Sequence, residues 1–321
     1  MKKLLSIFLS VILSILFFSG CRSNTGNGKT TIVCTIFPQY DFIKNILGEK
    51  TDDYNLELLS HNGADFHSFE PTAADILKIS DCDIFVYIGG ESDKWVEKVL
   101  KNNQSGNRID VKLTDVLGEN IKTEEHTEGM ETHSHGEDTE TENDEHIWLS
   151  LTNAQIICKY LCDVIIQKDG ESKGIYEKNL KEYTDKLKDL DGQYKSVVAD
   201  AESDTIILAD RHPFRYLFDD YGIKCFAAFP GCSTESDASF STVLFLANKA
   251  DELGVANICN IESSNGNISD TVIKNCKQPK GTVTLNSMQN ISDKQIADGM
   301  TYLSIMEQNL SAIQTALILL H

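Results

Sequence analysis

Basic residues are scarce in this chain. Against 49 aspartates and glutamates its 321 residues include only 29 lysines and arginines, for a formal net charge of -20. That balance argues against nucleic acid as a partner and in favour of cations. None of the nine cysteines stands in a CxxC pair, and no HExxH pairing occurs, so the usual sequence marks of a zinc ribbon and of a metallopeptidase helix are both missing. No short repeat unit is visible either. The apolar and charged fractions are otherwise those of an ordinary globular protein long enough for two domains.

The N-terminus departs from that average. Lys2 and Lys3 precede an apolar run from Leu4 to Phe18, followed by Ser19, Gly20 and Cys21. Basic, apolar and small-residue segments in this order read as an export signal over residues 1–20. Small residues before a cysteine resemble a bacterial lipoprotein signal, with Cys21 lipidated as the first mature residue, although Phe18 stands where such signals usually have leucine. An ordinary secretory signal cut nearby is the alternative, and either way the protein is exported. Residues 21–29 form a Ser/Asn/Gly-rich tether. The remaining cysteines are even in number, which permits disulfides in an exported chain without revealing their pairing. Cys158 and Cys162, four apart on a predicted helix, read as core thiols, and the cysteines are taken as structural.

Beyond the tether, β-rich runs alternate with amphipathic ones. Strands are predicted over Thr31–Phe37, Tyr54–Leu59, Ile84–Ile88 and Arg108–Val111, with a helix opened by Pro38, a second capped by Thr72 and a third from Ser92 to Leu100. A helix from Thr152 to Ile166 precedes the most regular segment of the chain: Tyr176, Leu180, Tyr183, Leu187, Leu190, Tyr194 and Val197 recur at alternating steps of four and three, one narrow apolar stripe along a long helix. The alternation then restarts with strands over Thr205–Ala209, Cys225–Phe229, Asn257–Ile261 and Thr282–Leu285 and helices over Phe214–Tyr221 and Ser241–Leu253. Asp293–Leu320 closes the chain as a single predicted helix. The expectation is an α/β protein of two lobes, each a mostly parallel sheet flanked by helices: residues 30–168 and 200–321, joined by one long helix over 171–199, with a cleft between the lobes.

The stretch from Lys122 to Trp148 combines histidines with dense carboxylates. His126, His133 and His135 lie among acids that cannot bury enough apolar surface to fold, so the loop 122–145 is expected to be disordered, as a cation-gathering arm or merely a solvated linker. His146 differs, because Ile147, Trp148 and Leu149 follow it at once and fasten it to a packed domain. His67, in GADFHSFEP, and His212, in ADRHPFRY, stand past the ends of predicted strands, as does Asn286 in TLNSMQN. Ligands bind outside the carboxyl ends of strands in such sheets. One histidine there could simply cap a turn, whereas several at one topological address suggest zinc or a related metal. His61 reads as a turn residue and His321 as a frayed terminus, while Asp210 and Arg211 are expected to orient the imidazole of His212.

These motifs resemble the metal-binding lipoproteins of zinc and manganese ABC importers. GADFHSFEPTAADILKISDCDIFVYIGG is similar to that family's first ligand motif with the helix and strand after it, DEHIWLSLTNA to its second and ADRHPFRYLFDDYGI to its third. The resemblance implies two α/β lobes spanned by the helix that carries the Tyr176–Val197 stripe, with His67, His146 and His212 as metal ligands. Asn286 stands where many members have aspartate, and the third position holds histidine, His212, and not glutamate. A fourth ligand could then be water, Asn286 or a nearby carboxylate such as Glu262, whose other reading is a bracing role behind the ligands. Three imidazoles form a zinc-like set, and a neutral amide is a weak ligand for manganese. The expected function is extracytoplasmic capture of a divalent metal, zinc before manganese or iron, and delivery to an ABC permease, by a monomer held by the lipid on Cys21 at the outer face of the cytoplasmic membrane, with no covalent chemistry. From other classes, a zinc hydrolase would need a general base such as Glu262 or Glu70, and a surface adhesin would hold its metal permanently.

Overall fold

The computed structural model describes residues 28–320 except 61–62, 64, 104–105, 131–142, 234–236 and 279. The predicted export signal, Cys21, His61, His133, His135 and His321 therefore lie outside the described residues. The alternating sequence folds into two four-stranded parallel sheets. In the first, β1 (Thr30–Cys34), β2 (Tyr54–Leu58), β3 (Ile84–Tyr87) and β4 (Ile109–Lys112) lie in the order β2-β1-β3-β4. In the second, β5 (Thr205–His212), β6 (Lys224–Pro230), β7 (Asn257–Ile261) and β8 (Gly281–Leu285) repeat that order as β6-β5-β7-β8. Strand succession reverses direction beside β1 and beside β5, so the loops leaving the strand ends diverge there and open a crevice.

The sequence explains where the elements begin and stop. Pro38 sits in the first turn of α1 (Phe37–Leu47), and Thr72 caps α2 (Ala73–Asp81) by accepting from Asp75 N while Asp75 returns the bond to Thr72 N. Every residue of β3 is buried, as in a central parallel strand covered on both faces. α3 (Lys94–Asn102), α4 (Leu113–Leu117) and α5 (Leu151–Lys168) complete the first lobe.

The long helix is α6 (Lys173–Ala199). Its buried side chains are Tyr176, Tyr183, Leu187, Leu190 and Tyr194, with Leu180 and Val198 half-buried beside them, so the stripe ends on Val198 where Val197 was expected. Tyr176 Oη lies 2.8 Å from Tyr54 Oη and donates to Asp169 at 2.6 Å, which pins one end to the first lobe. Tyr194 donates to Met306 O at 2.6 Å in the second. One apolar cluster runs unbroken from Ile32 and Phe42 through Trp148, Leu187 and Tyr194 to Leu208, Phe214 and Met306. The lobes thus share a close-packed core, which leaves little freedom for hinged opening.

The second lobe adds α7 (Arg215–Tyr221), α8 (Phe240–Leu253) and α9 (Asn267–Asn275), the last unforeseen because its sequence is largely polar. The closing segment is two helices where one was expected, α10 (Asp293–Ala297) and α11 (Tyr302–Ala316). Gly299, at φ 92°, takes a conformation that side-chain-bearing residues avoid, and Thr301 then caps a new helix by accepting from Ser304 N. Among the described residues no helix is long and apolar enough to cross a membrane.

Candidate metal centre

The chain after β2 re-enters the fold through a single 3-10 turn, Phe66–Ser68, which carries His67. Asp65 caps that turn, its Oδ1 accepting from His67 N at 3.0 Å. Arg211, at the far end of β5, forms an ion pair with the other oxygen of Asp65. Burial alone would raise the pKa of Asp65, but the charge and hydrogen bond of Arg211, together with the bond from His67 N, outweigh it and hold the carboxyl below its usual value. Arg211 therefore steadies the loop of His67 and does not orient His212, while Asp210 Oδ1 accepts from Arg211 N.

His146 is held by the strip that follows the acidic loop. Asp144 N donates to Lys122 O at 2.8 Å, and Tyr216 Oη donates to Asp144 O while accepting from Lys122 N, both at 2.9 Å. Ile147, Trp148 and Leu149 then enter the core, and Ser150 caps α5 by accepting from Asn153 N. The first part of the acidic loop is also ordered against the second lobe: Met130 is buried in the core, Lys122 pairs with Asp219, and Arg215 donates to Thr123 O. Burial of Met130 supplies the apolar anchor that composition alone did not reveal. His126 is exposed.

The two imidazoles converge. His67 Nε2 lies 3.2 Å from His146 Nε2. His146 Nδ1 is 2.9 Å from Asp144 Oδ1, and His67 Nδ1 is 3.0 Å from Glu145 Oε1 and 2.7 Å from Ser92 Oγ. Ionised carboxylates only accept, so each Nδ1 carries the proton and each Nε2 turns a lone pair toward the other. Two ligand atoms on a tetrahedral zinc, with bonds of 2.0–2.1 Å, lie roughly 3.3 Å apart, close to the separation found. Burial opposes charge on His146, yet the Asp144 carboxylate raises its pKa above the ordinary histidine value. Glu145 is lowered despite burial, through His67, His146 and Ser92.

Gln289 closes the pair. Its Nε2 is 2.7 Å from His67 Nε2 and 2.6 Å from His146 Nε2, so one amide group donates to both lone pairs. The turn that aims it is built from afar: after β8, Asn309 of α11 accepts from Asn286 N and donates to Asn286 O, Asn286 Oδ1 accepts from Met288 N, and Met288 takes φ 63°. Asn286 thus spends its amide oxygen within this turn. Glu262 accepts from both the N–H and the hydroxyl of Ser287, and burial raises its pKa against those bonds. Trp148 donates to Ser287 O and Phe66 N to Gln289 O, which ties the turn to the histidines of the first lobe.

His212 ends β5 itself rather than following it, beyond a register shift between Leu208 and Arg211. It is buried, its ring 5.3 Å from that of Phe218, its Nε2 3.9 Å from Glu125 Oε2, and its Nδ1 without a hydrogen-bond partner among the described residues. Burial depresses its pKa to about 4, so it stands neutral with a lone pair available. Among the described residues, His67, His146 and Cys232 form a group of donors with one atom of each within 4.8 Å of the others; His212 does not join it. Cys232 and Gln289 both escaped sequence reading. The one hint of Gln289 is its place three residues past Asn286, and Cys232 falls among the cysteines that the sequence reading takes as structural.

The family model described as "Zinc-uptake complex component A periplasmic" matches residues 32–316. The chain is 29% identical over 318 residues to the zinc-binding lipoprotein AdcA of Streptococcus pneumoniae, covering 98% of this chain and 61% of that protein, so it spans about three fifths of that relative. It is 31% identical over 294 residues to the high-affinity zinc uptake system protein ZnuA of Bacillus subtilis, covering 90% of this chain and 88% of the other. The crystal structure of the Zn(II)-bound ZnuA-like domain of S. pneumoniae AdcA superposes with a TM-score of 0.71 at 29% identity, over 90% of this chain and 99% of that one.

Proposed function

Since this chain belongs to the family of the periplasmic zinc-uptake component A, we propose that it is a solute-binding protein that captures zinc between its lobes and hands it to an ABC permease. The observation that carries the reading is the convergence of His67 Nε2 and His146 Nε2 at 3.2 Å, each imidazole backed by a buried carboxylate. Backing of this kind fixes the tautomer and strengthens the donor. His212, neutral and with a nitrogen unpartnered among the described residues, supplies a further imidazole through local rearrangement of the site around the ion. Gln289 gives up its hydrogen bonds as the ion claims both lone pairs, and rotation of its amide presents oxygen in place of nitrogen. An amide and imidazoles favour zinc over manganese, which prefers anionic oxygen.

A hydrolase is the weaker reading, because Glu145 is engaged by His67 and Ser92 and Glu262 by Ser287, so neither is free to act as its general base. Residues 1–20 serve as export signal, and lipid on Cys21 anchors a monomer outside the cytoplasmic membrane by the tether 21–29. The two lobes are residues 30–168 and 200–321, linked by the helix within 171–199. Elemental analysis of protein purified without added metal, followed by competition between zinc and manganese, tests the function. One zinc per chain that manganese does not displace supports it; copurified manganese that zinc fails to displace contradicts it.

A further inference from the structure

The histidine pair has a third neighbour that the function above leaves unused. β6 ends at Pro230, in register with His212, and the chain then turns through Gly231 into Cys232. A Cβ on Gly231 would lie 2.7 Å from His212 O and 3.1 Å from His146 Cε1, so only a glycine lets the backbone pass this close to both histidines. Glu124 of the acidic loop accepts from Cys232 N at 2.8 Å and fixes the turn from outside. The half-buried Sγ faces inward, 3.7 Å from Glu145 Oε1, within the same 4.8 Å group as the ligand nitrogens of His67 and His146.

Resting on the zinc-capture reading, we propose that Cys232 is a metal ligand of this site, giving the cargo ion a thiolate beside its imidazoles. On binding, the S–H bond breaks and a metal–sulfur bond forms, the thiolate keeping the electron pair and the proton leaving to solvent; no redox change is involved. A thiolate contributes the anionic charge that the amide of Gln289 does not, and it is a soft donor. The class of cargo is therefore thiophilic divalent ions, zinc, cobalt and cadmium, and manganese is disfavoured by the sulfur itself.

Cobalt(II) provides the probe, because thiolate bound to it gives an intense near-ultraviolet charge-transfer absorption that imidazole and oxygen ligands do not. Full-length protein loaded with one cobalt should show this band, and Cys232→Ser should still bind one cobalt through the imidazoles but lose it. The same variant should bind zinc at least about tenfold more weakly, the lower end of what a change around a metal site brings, and cadmium more weakly still. Thermal melts of Cys232→Ser and Cys232→Ala establish that both fold. Zinc should also protect Cys232 in the wild type from alkylation, read by mass spectrometry of its peptide. One bound cobalt without the band, a band that survives in Cys232→Ser, or equal alkylation with and without zinc would overturn the thiolate ligand and leave zinc capture standing. Failure of wild-type protein to bind any of these ions would overturn both.

Discussion

Arg211, near the end of a strand in the second sheet, is ion-paired with Asp65, which caps the turn carrying His67 in the first lobe. One half of the molecule thereby sets the position of His67 in the other. Arg211→Ala removes no ligand but leaves the buried side of Asp65 uncompensated, so zinc affinity should fall by about ten- to a hundredfold. Competition against a chromophoric chelator measures this, and unchanged affinity would show that the His67 turn holds itself.

If zinc binds the imidazoles as proposed, protons compete with it for them. Asp144 raises the pKa of His146 above the ordinary value of 6.5 in spite of burial, so the free site gains a proton there as pH falls through that raised pKa. Zinc affinity is full above it and declines below it. Saturating zinc should therefore raise Tm strongly at pH 7.5 and little at pH 5. Calorimetry with and without zinc at both pH values checks this; equal shifts would count against histidine ligation.

A second pH effect concerns stability without metal. Burial pushes the Asp93 carboxyl from 3.8 up to about 7, although Ile88 N and Gly89 N donate to it. A native pKa above the unfolded one means the folded protein holds the extra proton: this contribution is complete below pH 3.8 and is lost as pH rises through 7. Asp93→Asn carries no such proton. Between pH 5 and 8 the wild type should lose stability relative to the variant by roughly 2 kcal/mol, read from urea unfolding at several pH values, and parallel curves would contradict the assignment.

The acidic loop divides functionally. Removing residues 131–142 should leave zinc affinity unchanged, whereas a deletion beginning at Glu124 also removes the acceptor of Cys232 N and the Glu125 carboxylate 3.9 Å from His212 Nε2. Chelator competition on both deletions should separate them, with the longer one weaker. Equal affinities would show that Glu124 and Glu125 do not support the site.

How much of this was legible in sequence follows from the range of the forces. The all-apolar run Ile84–Tyr87 and the Tyr176–Tyr194 stripe declare a buried strand and a core-facing helix through local pattern alone. His67 and His146 were legible for a similar reason, since each sits at a junction between polar loop and apolar core. Gln289 was not: its aim depends on a left-handed Met288 bonded to Asn286, which Asn309 holds, on Ser287 held by Glu262, and on Phe66 across the lobes, and Asn309, Glu262 and Phe66 are all distant in sequence. Cys232 was hidden likewise, because only the passage of Gly231 beside His212 O brings its sulfur inward. The break at Gly299 was missed because apolar residues recur on both sides of it.

The central claim is that zinc sits on the converging imidazoles of His67 and His146. The most direct test titrates zinc into full-length protein and into His146→Ala, with thermal melts showing that the variant folds. One tight zinc per chain in the wild type and none in the variant is the result expected, while a folded variant that keeps wild-type affinity and stoichiometry would contradict the account.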